Sequence, residues 1–90
     1  MQEVILIIRN KVGLHARPAA LFVQTASKFK SKVSTVKDGR EVNAKSILSV
    51  LTLGAEQGAV VTIRAEGEDE VEAVEALREL VENNFGEEEV

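Results

Sequence analysis

Ser31-Lys32-Val33-Ser34-Thr35-Val36-Lys37-Asp38-Gly39-Arg40-Glu41-Val42-Asn43-Ala44 is the stretch that decides the fold. Two short runs, one around Val33 and Val36 and one around Val42, are separated by Asp38-Gly39. Both central residues of a type I′ turn need positive φ, and Asp-Gly supplies them, so the stretch reads as an antiparallel hairpin. Downstream, Ser46 precedes Ile47-Leu48-Ser49-Val50-Leu51-Thr52-Leu53, which stops at Gly54. A serine before and a glycine after mark the ends of a short helix. Val60 to Glu66 then alternates Val61, Ile63 and Ala65 against Thr62 and Arg64, the pattern of a half-buried strand, between Gly58 and Gly67.

Working outward, Gln2 to Arg9 is a nearly continuous aliphatic run, expected to be a strand buried on both faces or at the sheet centre. From Ala19 onward Phe22, Val23, Ala26 and Phe29 share one helical face and predict the core side of a first long helix, with Leu21 exposed opposite. The last helix opens in the acidic run Glu68-Asp69-Glu70, carries Ala73, Val74, Leu77, Leu80 and Val81 as its apolar stripe, and stops at Asn83-Asn84 with Gly86. Glu87 to Val90 is expected to be a short, mobile acidic tail. The order strand, helix, two hairpin strands, helix, strand, helix predicts an α+β domain with helices over one face of a four-stranded, mainly antiparallel sheet. One domain spanning 1–90 is expected, with its folded core over 1–86.

Composition narrows the function. Ninety residues, 44% of them apolar, suffice for one core and not for two. There is no cysteine, which excludes disulfides, thiol chemistry and Cys-based metal carriage. The apolar run Val4 to Ile8 follows Glu3 and ends at Arg9, too short for a signal peptide or a membrane span, so a cytoplasmic chain is expected. The net charge of -4 conceals an asymmetry: residues 1–45 carry +6 and residues 46–90 carry -10. The basic half can steer an acidic or phosphorylated partner. With 3% aromatics and neither Tyr nor Trp, the chain lacks the stacking surfaces that nucleic-acid binding uses.

The basic half contains Gly13-Leu14-His15-Ala16-Arg17-Pro18-Ala19-Ala20, with the only histidine and the only proline of the chain. Proline fits the first turn of a helix, so a helix starts between His15 and Pro18. Free backbone N–H groups around Ala16 and Pro18 and the positive end of the helix dipole then lie beside an imidazole and a guanidinium, an arrangement suited to a phosphate dianion. Phosphoryl transfer on His15 is the leading expectation. A histidine nucleophile must be uncharged, and an ordinary imidazole largely is at neutral pH. Arg17, always charged, can neutralise the transferring group without competing for a proton. The residue before a proline is steered away from helical angles, so the place of Arg17 relative to the first turn decides how it reaches the phosphate. The short helix after Ser46 has more apolar residues than one stripe can bury, which means either a small surface patch or an unusually buried helix.

These two segments, Gly13 to Ala20 and Asn43-Ala44-Lys45-Ser46-Ile47-Leu48, closely resemble the HPr family, the histidine-containing phosphocarriers of the bacterial phosphotransferase system. The resemblance spans nearly the whole chain. It implies an open-faced β-sandwich with sheet order 1-4-2-3. It further implies that His15 accepts a phosphoryl group from enzyme I, charged by phosphoenolpyruvate, and passes it to enzyme IIA domains, with Arg17 beside it. In some members the serine matching Ser46 is phosphorylated from ATP by HPr kinase/phosphorylase, which can recruit catabolite control protein A. Ala20, Leu21, Ile47, Leu48 and Leu51 are the expected docking residues of a monomer that needs no metal or cofactor. Val12 and Ala20 stand where some members carry polar side chains, which leaves His15 without two hydrogen bonds available elsewhere in the family. The segment past Asn83 also departs from the family pattern. Two alternatives stand beside the carrier: a regulatory relative working through Ser46, and a non-catalytic interaction module.

Overall fold

In a computed structural model, which describes residues 1–86, the elements follow in the order β1 (Gln2–Ile7), α1 (Ala16–Ser27), β2 (Lys32–Lys37), β3 (Arg40–Asn43), α2 (Ile47–Leu51), β4 (Val60–Glu66) and α3 (Glu70–Glu82), with a closing 3₁₀ turn over Asn84–Gly86. The Asp38-Gly39 hairpin is present: both residues have positive φ, 51° and 79°, and Lys37 pairs with Arg40 across the turn. The sheet is antiparallel throughout, in the order β1-β4-β2-β3. Val61, Ile63 and Ala65 of β4 and Val33 of β2 point to one buried face, as the alternation in β4 predicts. The helices cover that face. α3 packs on β1 and β4, α2 on β3, and α1 lies between α2 and α3.

β1 corrects the sequence reading. It is an edge strand, paired only with β4, and only Leu6 within it is fully buried, with Ile8 just beyond its end. Ile5 and Ile7 face out from the uncovered side of the sheet, 69% and 47% exposed. With helices on only one side, half of any strand's residues must face outward. Aliphatic residues are tolerated there because cross-strand pairs such as Ile7 opposite Val60 shield part of each other.

Two ends depart from simple expectation in an instructive way. Asp69 stands at the N-cap position of α3 but makes no side-chain cap. Its carboxylate accepts instead from the backbone N–H groups of Lys30 and Ser31, each at 2.9 Å, and from the Ser31 hydroxyl, tying the end of α1 and the start of β2 to the start of α3. The Ser31 hydroxyl, followed by the Lys30 amide, holds this carboxyl down at about 2 from its ordinary 3.8. The stop after α3 is where it was expected, but Asn84 and Phe85 take positive φ there and the turn buries Phe85 to 2% exposure, adding an aromatic ring to the core. The expected tail, Glu87 to Val90, lies outside the described residues.

Candidate phosphate site and the neighbouring surface

The loop leading to α1 is fastened to the loop leading to β4. Gly13 has φ +66°, and a Cβ placed on it would sit 2.3 Å from the Ala55 carbonyl oxygen and 2.7 Å from Glu56 Cα, so this position admits glycine alone. The Leu14 N–H donates to the Ala55 carbonyl at 2.8 Å, and Gly58 N–H to the Ile8 carbonyl at 2.7 Å. Gln57 Nε2 reaches the Arg9 carbonyl at 3.0 Å. Asn10, expected only as a turn residue, is fully buried and donates from Nδ2 to the Gly13 carbonyl at 3.0 Å. With Leu14 and Ala19 also fully buried, the backbone on either side of His15 has a rigid base.

On that base His15 is exposed. It is the N-cap residue of α1, with extended backbone angles of -127° and 163°, and its side chain makes no cap hydrogen bond. The next residue, Ala16, has φ +47°, a left-handed conformation unusual for a residue with a Cβ. Arg17 lies inside the helix span, so the conflict between proline and a helical neighbour is met by a first turn whose opening residue is twisted out of helical geometry. The first intrahelical bond, from Ala19 N–H to the His15 carbonyl, is long at 3.4 Å. Pro18 has no N–H, leaving the amides of Ala16 and Arg17 as the free donors of the turn: among the described residues they donate to no acceptor. The Arg17 side chain is exposed and makes no hydrogen bond or ion pair among the described residues. Two amides, a guanidinium and an imidazole thus belong to three consecutive residues at one helix start, with no protein anion among the described residues to satisfy them. Free amides and a guanidinium at a helix start suit an anion, and the imidazole stands next to them in sequence.

The second segment is built differently. Ser46, half-buried, caps α2, its Oγ accepting from Ser49 N–H at 3.3 Å. Lys45 Nζ donates to the Phe29 carbonyl at 2.7 Å, just past the end of α1. Val50 and Leu53 are buried while Leu48 is 74% and Ile47 38% exposed, which decides for an apolar surface patch over a fully buried helix. Leu51 is half-buried. Of the other expected docking residues, Ala20 is half-buried, and Leu21 is not the exposed leucine expected: it too is half-buried against the core, because α1 is flanked by both α2 and α3 and its apolar face is correspondingly wide. Val23 and Phe29 are likewise only partly buried.

Two features of this region carried no signal in the sequence. An alanine gives no warning of positive φ, and a surface arginine such as Arg40 does not announce its acceptor. Among the described residues no three His, Cys, Asp or Glu side chains gather as metal ligands, and no helix is long and apolar enough to cross a membrane.

An exposed histidine at a helix start with free amides, set on a one-sided antiparallel sheet, is the arrangement expected of a small phosphoryl-carrier domain. Residues 2–83 match the family model described as PTS HPr component phosphorylation site. The chain is 55% identical over 87 residues to the phosphocarrier protein HPr of Xylella fastidiosa (strain 9a5c), covering 97% of this chain and 98% of that protein. It is 54% identical over 74 residues to the HPr-like protein Crh of Bacillus subtilis (strain 168), covering 82% and 87% of the two chains. The crystal structure of HPr-C-His from Thermoanaerobacter tengcongensis superposes with a TM-score of 0.97 at 60% identity, over 99% of this chain and 100% of that one. The chain belongs to the HPr family of phosphocarriers of the phosphotransferase system.

Proposed function

We propose that His15 accepts a phosphoryl group from enzyme I, itself charged by phosphoenolpyruvate, and hands it to enzyme IIA domains during sugar uptake in the cytoplasm. A lone pair of a ring nitrogen forms the N–P bond as the bond from phosphorus to the donor breaks, and the same step run towards an acceptor empties the site. The N–H groups of Ala16 and Arg17 and the Arg17 guanidinium hold the phosphoryl oxygens, stabilising charge in the transition state and in the phosphohistidine. The supporting observation is the exposed imidazole at the α1 cap, beside two amides and a guanidinium with no acceptor among the described residues. The partners dock on Ile47 and Leu48, with Ala20, Leu21 and Leu51 beneath or beside them.

Ser46 gives this reading a regulatory arm: phosphorylation from ATP by HPr kinase/phosphorylase. A phosphate there carries about -1.5 to -2 charges at a helix start, which the fold tolerates. The same charge beside Leu48 repels an acidic enzyme partner and favours a different one, such as catabolite control protein A.

Mass measurement after incubation tests both arms. Phosphoenolpyruvate with enzyme I should add one acid-labile phosphoryl group that is absent in His15→Ala. ATP with HPr kinase should add an acid-stable one that is absent in Ser46→Ala. An acid-stable gain alone would instead make the chain a regulatory relative acting through Ser46, and no gain in either mixture would leave a non-catalytic interaction module.

A further inference from the structure

α2 is five residues long, too short to hold a helical shape by its own hydrogen bonds. Its N-terminal end is held by the Ser46 cap and by Lys45 on the Phe29 carbonyl. Its C-terminal end is held from another element altogether. Arg40, the first residue of β3 after the hairpin turn, donates from one guanidinium nitrogen to the Thr52 carbonyl at 2.7 Å and from the other to the Thr52 hydroxyl at 2.9 Å. The Thr52 hydroxyl in turn donates to the Ser49 carbonyl at 2.6 Å, and the Ser49 N–H donates to the Ser46 hydroxyl. A series of hydrogen bonds therefore runs from the hairpin through Thr52, the C-cap of α2, to Ser49 and the Ser46 cap. The planar fork of arginine suits this double contact, and a cation is favoured at carbonyls that have no helical partner. Leu48 belongs to the same turn, its carbonyl accepting from the Thr52 N–H at 3.1 Å.

We propose that Arg40 is a positioning residue for partner docking: by clamping Thr52 it holds α2 in the placement that presents Leu48, and so lowers the ordering cost of forming the complex in which His15 is phosphorylated. This rests on the reading of Ile47 and Leu48 as the docking surface. Preorganisation of this kind acts on binding and leaves the chemistry at His15 untouched. Arg40→Ala should therefore raise the KM for this chain as phosphoryl acceptor from charged enzyme I by roughly threefold to tenfold, with kcat unchanged. Arg40→Lys, which keeps one charged donor but loses the fork, should recover part of the loss.

Two further measurements separate positioning from direct contact with the partner. Hydrogen exchange in the free protein should show the Thr52 and Leu53 amides exchanging about tenfold faster in Arg40→Ala, with the β4 amides unchanged. In a double-mutant cycle, Leu48→Ala with Arg40→Ala should raise KM no more than Leu48→Ala does alone, because Arg40 acts through Leu48. Multiplying effects, or unchanged exchange at Thr52 and Leu53, would overturn the proposal. Thr52→Val, which removes the hydroxyl but keeps the carbonyl, should give an intermediate KM; a KM equal to the parent's with exchange also unchanged counts against it. If Leu48→Ala leaves KM unaltered, it is the docking surface that fails, a result distinguishable from failure of the clamp.

Discussion

The first turn of α1 and the single turn of α2, in two helices that pack on each other, treat their polar groups in opposite ways. At α1 the cap side chain leaves the helix uncapped, the opening residue is in a left-handed conformation, proline removes one donor, and two amides and Arg17 have no acceptor among the described residues. At α2 the cap is made, Arg40 of β3 reaches in to the C-terminal end, and Lys45, just before the cap, reaches out to the Phe29 carbonyl. The difference fits the roles proposed for the two. A group that receives an anion needs donors kept free and aimed, at a cost in stability. A surface that receives a protein needs only to keep its shape, and satisfied hydrogen bonds supply that.

The largest test of this contrast lies beneath the α1 start. If that start is left unsatisfied locally because the loop below it is rigid, loosening the loop should be severe. Gly13→Ala drives a methyl into the Ala55 carbonyl at a positive φ, and we expect a loss of roughly 2 to 4 kcal/mol, read as a fall in the denaturant midpoint. A change below half of that would mean that the loop can shift, and that the free donors are not held in place by it.

The loop after α1 offers the second test, since there two backbone amides are satisfied by a side chain from another element. Asp69 clasps the amides of Lys30 and Ser31, and its pKa is lowered to about 2. A carboxyl whose folded pKa is depressed stabilises the fold at pH above its unfolded value, here near 3.8, and that stabilisation disappears as pH falls through about 2. Asp69→Asn should accordingly be less stable than the parent at pH 7. The two should converge as pH drops from 4 to 2, when thermal midpoints are compared across that range. Parallel curves would show that the clasp is not the source of the depression.

How far all this could be read beforehand follows from the same division. The hairpin, the β4 alternation and the caps were legible because turn chemistry and period act over a few residues: Asp38-Gly39 can hardly do otherwise, and Ser46 before a short apolar run is a cap by its chemistry. The placement of β1 was not legible. Val4 to Ile8 gives the same pattern at an edge as at a centre, and which it becomes depends on β4, more than fifty residues away. Phe85 was missed for a similar reason, since an aromatic beyond an expected helix stop is drawn into the core by two left-handed residues that no local rule requires. At the site, His15 and Arg17 were visible as residue types, but the left-handed angle at Ala16 has no residue signature of its own, and the contact of Arg40 with Thr52 joins elements twelve residues apart.

The caps supply the third prediction. At α2 the Ser46 hydroxyl satisfies a donor that would otherwise be free, so Ser46→Ala should cost about 1 kcal/mol in chemical denaturation, the usual worth of a made cap. His15→Ala, at a cap position whose side chain makes no bond to the helix, should change stability by less than about 0.5 kcal/mol. Equal losses at the two positions would remove the distinction between a helix start kept open and one kept closed.

The smallest effect is the sharpest. Ala16 is the residue where the α1 start departs from ordinary backbone, and a Cβ in the left-handed region costs roughly 1 to 2 kcal/mol relative to glycine. Glycine also has more freedom to lose on folding, which offsets about 0.5 to 1 kcal/mol of that relief. Ala16→Gly should therefore raise stability by about 0.5 kcal/mol, against the usual direction for glycine in a helix, as read from the denaturant midpoint. Because the same change frees the turn that aims the Ala16 and Arg17 amides, transfer to His15 should slow while the fold becomes more stable. Gain in stability coupled to loss of rate is what a strained phosphate cradle predicts; if both rise together, the twist at Ala16 is an incidental result of fitting proline into the turn.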